Sequence, residues 1–433
     1  MNPVKVGLLG LGTVGGGTHR VLTRNAEEIS RRAGRRIEIW RGAALDPENH
    51  PDVGFPLTTD VFEVVNDPEV EVIVELIGGI EPARSLILAA IAQGKHVVTA
   101  NKALIALHGN DIFAAAHERG VMVAFEAAVA GGIPIIKAIR EGLAGNQIEW
   151  VAGIINGTSN FILTEMRDKG REFADVLAEA QALGYAEADP TFDIEGIDAA
   201  HKLTILAAIA FGIPLCFDKV YTEGISRISR EDVNYAETLG YRIKHLGVAR
   251  RVASGIELRV HPTLIPERQL MANVNGVMNA ILVKGDAVGS TLYYGAGAGS
   301  EPTASAVVAD LVDVVRTLTA DPGNRVPHLA FQADHITDQP LLPMTEVVTA
   351  YYLRMQAEDR PGVMAEITGV LAQQGISIEA LIQKEPLAGS HTVPVIMLTH
   401  RVREDRLLCA VEQIEAMAAI SGQVTRIRLE RLD

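Results

Sequence analysis

Val4-Lys5-Val6-Gly7-Leu8-Leu9-Gly10-Leu11-Gly12-Thr13-Val14-Gly15 is a short apolar run that ends in a G-x-G-x-x-G and passes into a helical pattern. Gly10 permits the tight turn out of a strand, Gly12 lets a backbone approach a pyrophosphate, and Gly15 lets the next helix pack against the strand. Phosphates then meet the helix N-terminus. Residues 4–9, 37–45, 72–77, 96–99 and 121–125 read as strands, and the stretches after Thr13, Glu81 and His108 as helices. Such alternation implies βαβ units and a Rossmann-type parallel sheet covered on both faces.

Further along, residues 133–143, 173–183 and 196–211 read as helices, and 241–294 as a strand-rich stretch with glycine turns, together an α+β domain. Residues 303–318 form one more amphipathic helix, with Glu301, Pro302 and Thr303 as its start signal. Pro322, Pro327, Pro340 and Pro343 mark residues 321–345 as a linker. Beyond it come a strand at 347–355, a turn at Asp359-Arg360-Pro361-Gly362, a helix at 363–373, strands at 376–383 and 392–399, and a helix at 405–419. That order predicts a separate, ferredoxin-like βαββαβ domain.

Composition excludes several functions. At 433 residues the chain exceeds one compact core, and 48% hydrophobic with 21% charged residues is ordinary for a globular protein, not a disordered or fibrous one. A net charge of -15 leaves no basic excess for nucleic acid. Cys216 and Cys409 are far apart in apolar surroundings, which suits small core residues in a reducing compartment and excludes a disulfide scaffold or cysteine zinc site. The longest apolar run, 203–217, falls short of the roughly 20 residues of a membrane span. The N-terminus lacks a signal-cleavage pattern, so the expected location is cytoplasmic, with no membrane partner.

Several residues carry chemistry. Asp46, after the second strand, suits the 2'-hydroxyl of NAD and repels a 2'-phosphate. Arg31, Arg32, Arg35, Arg36 and Arg41 lie nearby and read as a solvated basic face. Asn101-Lys102-Ala103 follows the 96–99 strand at the carboxyl edge of the sheet; Lys102 is either near nicotinamide and substrate or a surface lysine. The densest cluster is Glu187, Asp189, Asp193, Glu195, Asp198, His201 and Lys202. Asp198 and Lys202, four apart, share a helix face, and the helix continues apolar, so its start points inward. A partly desolvated lysine beside carboxylates exchanges protons near neutral pH, and the remaining acids suit a substrate ammonium.

With these motifs, Glu126-Ala127-Ala128-Val129-Ala130-Gly131-Gly132-Ile133-Pro134, Ile155-Asn156-Gly157-Thr158-Ser159-Asn160 and the run from Gly184 to Lys202, the chain resembles bacterial homoserine dehydrogenase along its whole length. The tail resembles an ACT domain, an amino-acid-sensing module. The resemblance implies reversible NAD- or NADP-dependent oxidation of L-homoserine to L-aspartate 4-semialdehyde, in the branch leading to threonine and methionine. By resemblance, Lys202 is the proton donor and acceptor with Asp198 beside it, and Lys102 is the second active-site lysine. Glu187, Asp193, Gly157 and Thr158 bind substrate; Gly10, Gly12, Thr13, Val14, Gly15, Asp46, Lys102 and Gly299 hold the cofactor; Glu126, Val129, Gly131 and Ile133 match a sodium or potassium site. The implied division is a nucleotide domain at 1–132 completed by about 299–320, a substrate and dimerisation domain at 133–298, and an ACT domain at 346–433 that senses threonine. A homodimer or homotetramer is implied. NADP-preferring relatives often have an arginine where Leu45 stands, so cofactor preference stays open. The competing readings are a catalytically silent dinucleotide- and amino-acid-binding regulator and another amino-acid-linked dehydrogenase.

Overall fold

In the computed structural model, which describes residues 2–384 and 391–432, the predicted strands assemble into a six-stranded parallel sheet. Its order is Leu57–Thr58, Ile37–Ala43, Val4–Leu9, Val72–Glu75, His96–Thr99, Val123–Ala124. The order reverses beside Val4–Leu9, which is the switch point where doubly wound sheets bind ligands. Val72–Glu75 and His96–Thr99 are buried throughout, as a sheet covered on both faces requires. Residues 1, 385–390 and 433 of the predicted first and last domains lie outside the described residues.

Local chemistry shortens several predicted elements. The strand predicted at 72–77 ends at Glu75, whose Oε1 accepts the N–H groups of Ile77 (2.9 Å) and Gly78 (3.0 Å) and turns the chain. The long first helix is two, Thr13–Arg24 and Ala26–Ala33, divided at Asn25, whose backbone is not helical. Predicted helix 133–143 is a single turn, Ile135–Lys137, running into a π-turn, Ala138–Gly142. The helix predicted at 303–318 starts earlier, at Ser300, and places Pro302 in its first turn, where no N–H is needed. It packs against Thr13–Arg24: a side chain on Gly17 would stand 2.6 Å from the Ser300 carbonyl oxygen.

The second sheet runs Gly289–Ala296, Met278–Gly285, Ile148–Ile154, Tyr241–Val252, Gly255–Pro266, Ile420–Leu429, Val348–Glu358, Thr392–Thr399, Ile378–Gln383. Ile148–Ile154 and Ile420–Leu429 are strands the sequence reading does not delimit; in the second, Ser421, Gly422 and Gln423 interrupt the pattern. Strand Ile420–Leu429 joins the C-terminal unit to the strands that precede the linker, pairing in parallel with Gly255–Pro266 through Thr263↔Arg428 and Leu264↔Leu429. The tail is therefore not a module tethered only by its linker. Helix Ile197–Phe211 runs through the interior, buried from Asp198 to its end. The cysteines differ from expectation: Cys216 is half-buried and Cys409 exposed, because Cys409 lies on the solvent side of helix Glu404–Glu415. Among the described residues no helix is long and apolar enough to cross a membrane.

Candidate active site

The glycine loop is built to receive something close to its backbone. Gly10 has φ +94°, and a side chain there would stand 2.8 Å from the Leu76 carbonyl oxygen; one on Gly15 would stand 1.9 Å from the Gly10 carbonyl oxygen. A side chain on Gly12 would meet nothing within 4 Å, so that flank is open. Gly12 caps helix Thr13–Arg24 without a side-chain hydrogen bond, leaving the N–H groups around Thr13 and Val14 to an anion. Gly299, with φ +120°, starts helix Ser300–Thr317 beside it, and Ser300 Oγ donates to the Thr13 carbonyl oxygen at 2.7 Å. The cradle fits a dinucleotide. Beyond the second strand Leu45 is 99% exposed and Asp46 is half-exposed, engaged by Asn49 and, at 3.8 Å, His50. Arg41 turns to Glu63 and Asp67, and Arg31 and Arg32 to Glu28.

Opposite this loop three elements meet. Asn101 caps helix Lys102–Arg119, accepting from Leu104 N–H and donating to the Gly79 carbonyl oxygen at 2.6 Å, which sets Lys102 at the helix start. Lys102 Nζ lies 2.8 Å from Asp198 Oδ1, and Lys202 Nζ lies 2.7 Å from Asp198 Oδ2 and donates to the Ile155 carbonyl oxygen at 2.7 Å. The Asn156 amide donates to Asp198 (2.8 Å) and Asp193 (2.7 Å), while its oxygen caps helix Gly157–Lys169. Thr158 Oγ1 donates to the Tyr185 carbonyl oxygen (2.6 Å) and lies 3.3 Å from Asp193. These side chains wall a cavity of about 440 Å³, closed on the far side by residues 296–299.

Electrostatics follow from burial. Desolvation pushes the Asp198 carboxyl up, but Lys202 and Lys102 outweigh it and hold the group well below the carboxylate range. Burial pulls Lys202 down from an ordinary lysine, only partly opposed by Asp198. Burial pushes Asp193 up. His201 is pushed down to about 4, chiefly by burial, and packs between the rings of Phe192 and Phe217 as a neutral imidazole.

The fold thus gathers Lys102, Gly157, Thr158, Asp193, Asp198, Lys202 and Gly299 around one cavity. Glu187 is not brought there; its side chain is exposed, and its carbonyl oxygen accepts from Gln181. Asp189 is also exposed and caps Thr191. Asn156 has no role in the sequence expectation, although an Asn before Gly-Thr-Ser is a helix-start signal. Behind the cavity Glu126 is buried, and its two carboxylate oxygens accept the N–H groups of Ile136 and Lys137, each at 2.9 Å. Ala130 and Gly131 turn with positive φ, and a side chain on Gly131 would stand 2.6 Å from the Gly297 carbonyl oxygen.

A buried lysine paired with a carboxylate lines a cavity sized for a small polar molecule, and the cavity reaches Gly299, whose neighbour Ser300 is bonded to the glycine loop: the organisation of a nicotinamide-nucleotide-dependent oxidoreductase. Known proteins narrow this class. The family described as homoserine dehydrogenase matches residues 134–312, its NAD-binding domain residues 10–126, and the ACT domain residues 351–419. Homoserine dehydrogenase of Pseudomonas aeruginosa is 68% identical, over 100% of both chains. The crystal structure of a homoserine dehydrogenase from Thiobacillus denitrificans superposes with a TM-score of 0.96 at 68% identity, covering 100% of this chain and 99% of that one. A hyperthermophilic archaeal homoserine dehydrogenase in complex with NADPH shares the fold, with a TM-score of 0.62 at 24% identity over 72% of this chain and 97% of that one. This chain belongs to the homoserine dehydrogenase family: it is an oxidoreductase that uses a nicotinamide cofactor and carries a C-terminal ACT domain.

Proposed function

We propose that the cavity between the glycine loop and helix Ile197–Phe211 is where L-aspartate 4-semialdehyde and L-homoserine are interconverted, with Lys202 carrying the proton. The observation that supports this reading is the pair of lysines sharing Asp198 at the cavity wall. A nicotinamide cofactor bound by Gly10, Gly12, Thr13, Val14, Gly15, Asp46, Lys102 and Gly299 supplies or accepts the hydride. In the reducing direction Lys202 gives its proton to the substrate oxygen, and in the oxidising direction its neutral amine takes the hydroxyl proton. Asp198 holds both ammonium groups in place, and Lys102 adds positive charge on the cofactor side. Asp193, beside Thr158 and Gly157, meets the substrate ammonium, a task for which exposed Glu187 is poorly placed.

Four finer assignments complete the reading. Both NAD and NADP serve: Asp46 favours a ribose hydroxyl, and because Leu45 and Asp46 face solvent, water screens the repulsion of a 2'-phosphate. Sodium or potassium is held behind the cavity by Glu126, Val129, Gly131 and Ile133, largely through main-chain oxygens; each Glu126 carboxylate oxygen accepts one N–H and keeps a lone pair for the ion. Threonine is sensed between two C-terminal domains of a dimer or tetramer. The free thiols fit work in a reducing cytoplasm.

Turnover of aspartate 4-semialdehyde with NADPH or NADH by the parent, set against Lys202→Arg, tests the reading. An inactive parent would refute the reaction, and a fully active variant would refute the proton assignment.

A further inference from the structure

Lys244 lies on strand Tyr241–Val252 with only 1% of its surface exposed. Its three N–H donors meet three oxygens: Asn160 Oδ1 at 3.2 Å, Asn275 Oδ1 at 3.3 Å, and the Val274 carbonyl oxygen. All three acceptors are neutral. An ammonium is an expensive occupant of such a place, whereas a methionine of similar length would fill it without desolvating a charge.

The acceptors belong to one construction. Asn160, on helix Gly157–Lys169, donates from Nδ2 to the carbonyl oxygens of Val274 (3.1 Å), Gly276 (2.9 Å) and Met278 (3.2 Å). Thr164 Oγ1 accepts from Gly276 N–H at 3.1 Å, and Arg167 donates to Asn275 Oδ1 at 3.2 Å. Residues 274–278 are thereby tied to the helix whose first residues, Gly157 and Thr158, wall the cavity. The tied segment walls it too, through Val277. The fit is close: a side chain on Gly157 would stand 2.9 Å from the Val277 carbonyl oxygen.

We propose that Lys244 is a positioning residue for the reaction: its ammonium clamps residues 274–278 against helix Gly157–Lys169 and so sets the shape of the substrate cavity. The inference rests on the reading of that cavity as the substrate site. The clamp depends on the proton, because a neutral amine has two donors and turns a lone pair toward the third oxygen. Charged neighbours decide where that happens. Burial pulls Lys244 down to about 7; Arg167 and Arg242 add to the pull, and Asp168 opposes it. The clamp is therefore closed below about 7 and loosens as pH rises through that value.

The test is steady-state kinetics of homoserine oxidation for the parent, Lys244→Met and Asn275→Ala, from about pH 6 to about pH 9. Lys244→Met should raise KM for homoserine about tenfold at the acid end while kcat stays within about threefold, the pattern of lost positioning of bound substrate. The parent-to-variant ratio of kcat/KM, in which the titration of Lys202 cancels, should fall toward one as pH rises through about 7. Should Lys244→Met fail to fold, Asn275→Ala removes one contact at the outer side of the clamp and should raise KM about threefold in the same direction. A folded variant with unchanged KM, or a ratio flat in pH, would overturn the proposal. Failure of the cavity reading itself would appear separately, as a folded Asp193→Asn variant with parental KM for homoserine.

Discussion

Lys102 and Lys202 approach opposite oxygens of one carboxylate, at 2.8 and 2.7 Å from Asp198. One negative charge thus faces two positive ones, and burial and Lys102 both pull Lys202 down. A lysine so placed can lose its proton closer to neutral pH than a solvated one.

Lys202→Arg keeps the charge but cannot release a proton in this range. It should lower kcat by roughly 10²- to 10⁴-fold while the cofactor KM moves far less. In the parent, homoserine oxidation should rise with pH, because the neutral amine is the acceptor, and semialdehyde reduction should favour lower pH. Stopped-flow rates in both directions check this; an arginine variant near parental kcat would make Lys202 a purely electrostatic group.

Asp46→Ala should weaken NAD more than NADP. The ribose end of the nucleotide has this carboxylate beside it, while Arg41 is turned to Glu63 and Asp67 and is not free to meet a phosphate. The measurement is kcat/KM for both cofactors. Equal losses would remove Asp46 from the ribose site.

Much of this was legible in the sequence for a physical reason. The glycine loop and Asp198-x-x-x-Lys202 encode local geometry, a turn and an i,i+4 helix face, and the folded chain keeps both. Lys102 was ambiguous because its partner lies 96 residues away, and spacing does not report that contact. Glu187 misled for the complementary reason: it shares the acidic run of Asp193, but the turn at 184–190 leaves its side chain in solvent. Strand Ile420–Leu429 goes unmarked because Ser421, Gly422 and Gln423 break its start, and its two partners, Val348–Glu358 and Gly255–Pro266, are distant in sequence.

Replacing sodium and potassium by a large organic cation should lower both activity and the thermal midpoint. The turn through Ala130 and Gly131 has its backbone against Gly297 of the cofactor-side loop, so loss of an ion would be felt there. Calorimetry beside an activity assay reads both quantities. Indifference of both would leave the segment a glycine-rich turn.

Glu430 joins the two halves of the second sheet, accepting from Arg259 and, at 2.7 Å, from Arg250. Burial pushes its carboxyl up, but Arg259 and Arg250 outweigh that and hold it at about 2, against an ordinary 4.5. Its folded pKa is depressed, so the stability it contributes is fully present above about 4.5 and lost as pH falls toward 2. Glu430→Gln leaves buried Arg259 with Glu257 as its one carboxylate and should cost about 3 kcal/mol near neutrality. Urea unfolding of both proteins should show that gap closing on acidification; a gap independent of pH would mean that packing, not charge, carries the effect.

Truncation after Met344 should destabilise the catalytic part of the chain. A separate C-terminal domain on a linker would leave catalysis untouched when removed, but here its final strand pairs with Gly255–Pro266 and its Glu430 satisfies a fully buried Arg259. Removal exposes that strand edge and takes one of the two carboxylates from Arg259, so the thermal midpoint and the yield of active enzyme should both fall. Loss of a threonine response in such a fragment would not locate the sensor. Gly362→Ala would, because Gly362 opens helix Val363–Gln373 at φ +98°, a conformation that disfavours alanine, and it lies outside the catalytic cavity. The variant should keep the unregulated kcat and lose any response to threonine. An unchanged threonine response would place the effector elsewhere, and a truncated enzyme with parental activity and melting would show the shared sheet to be dispensable.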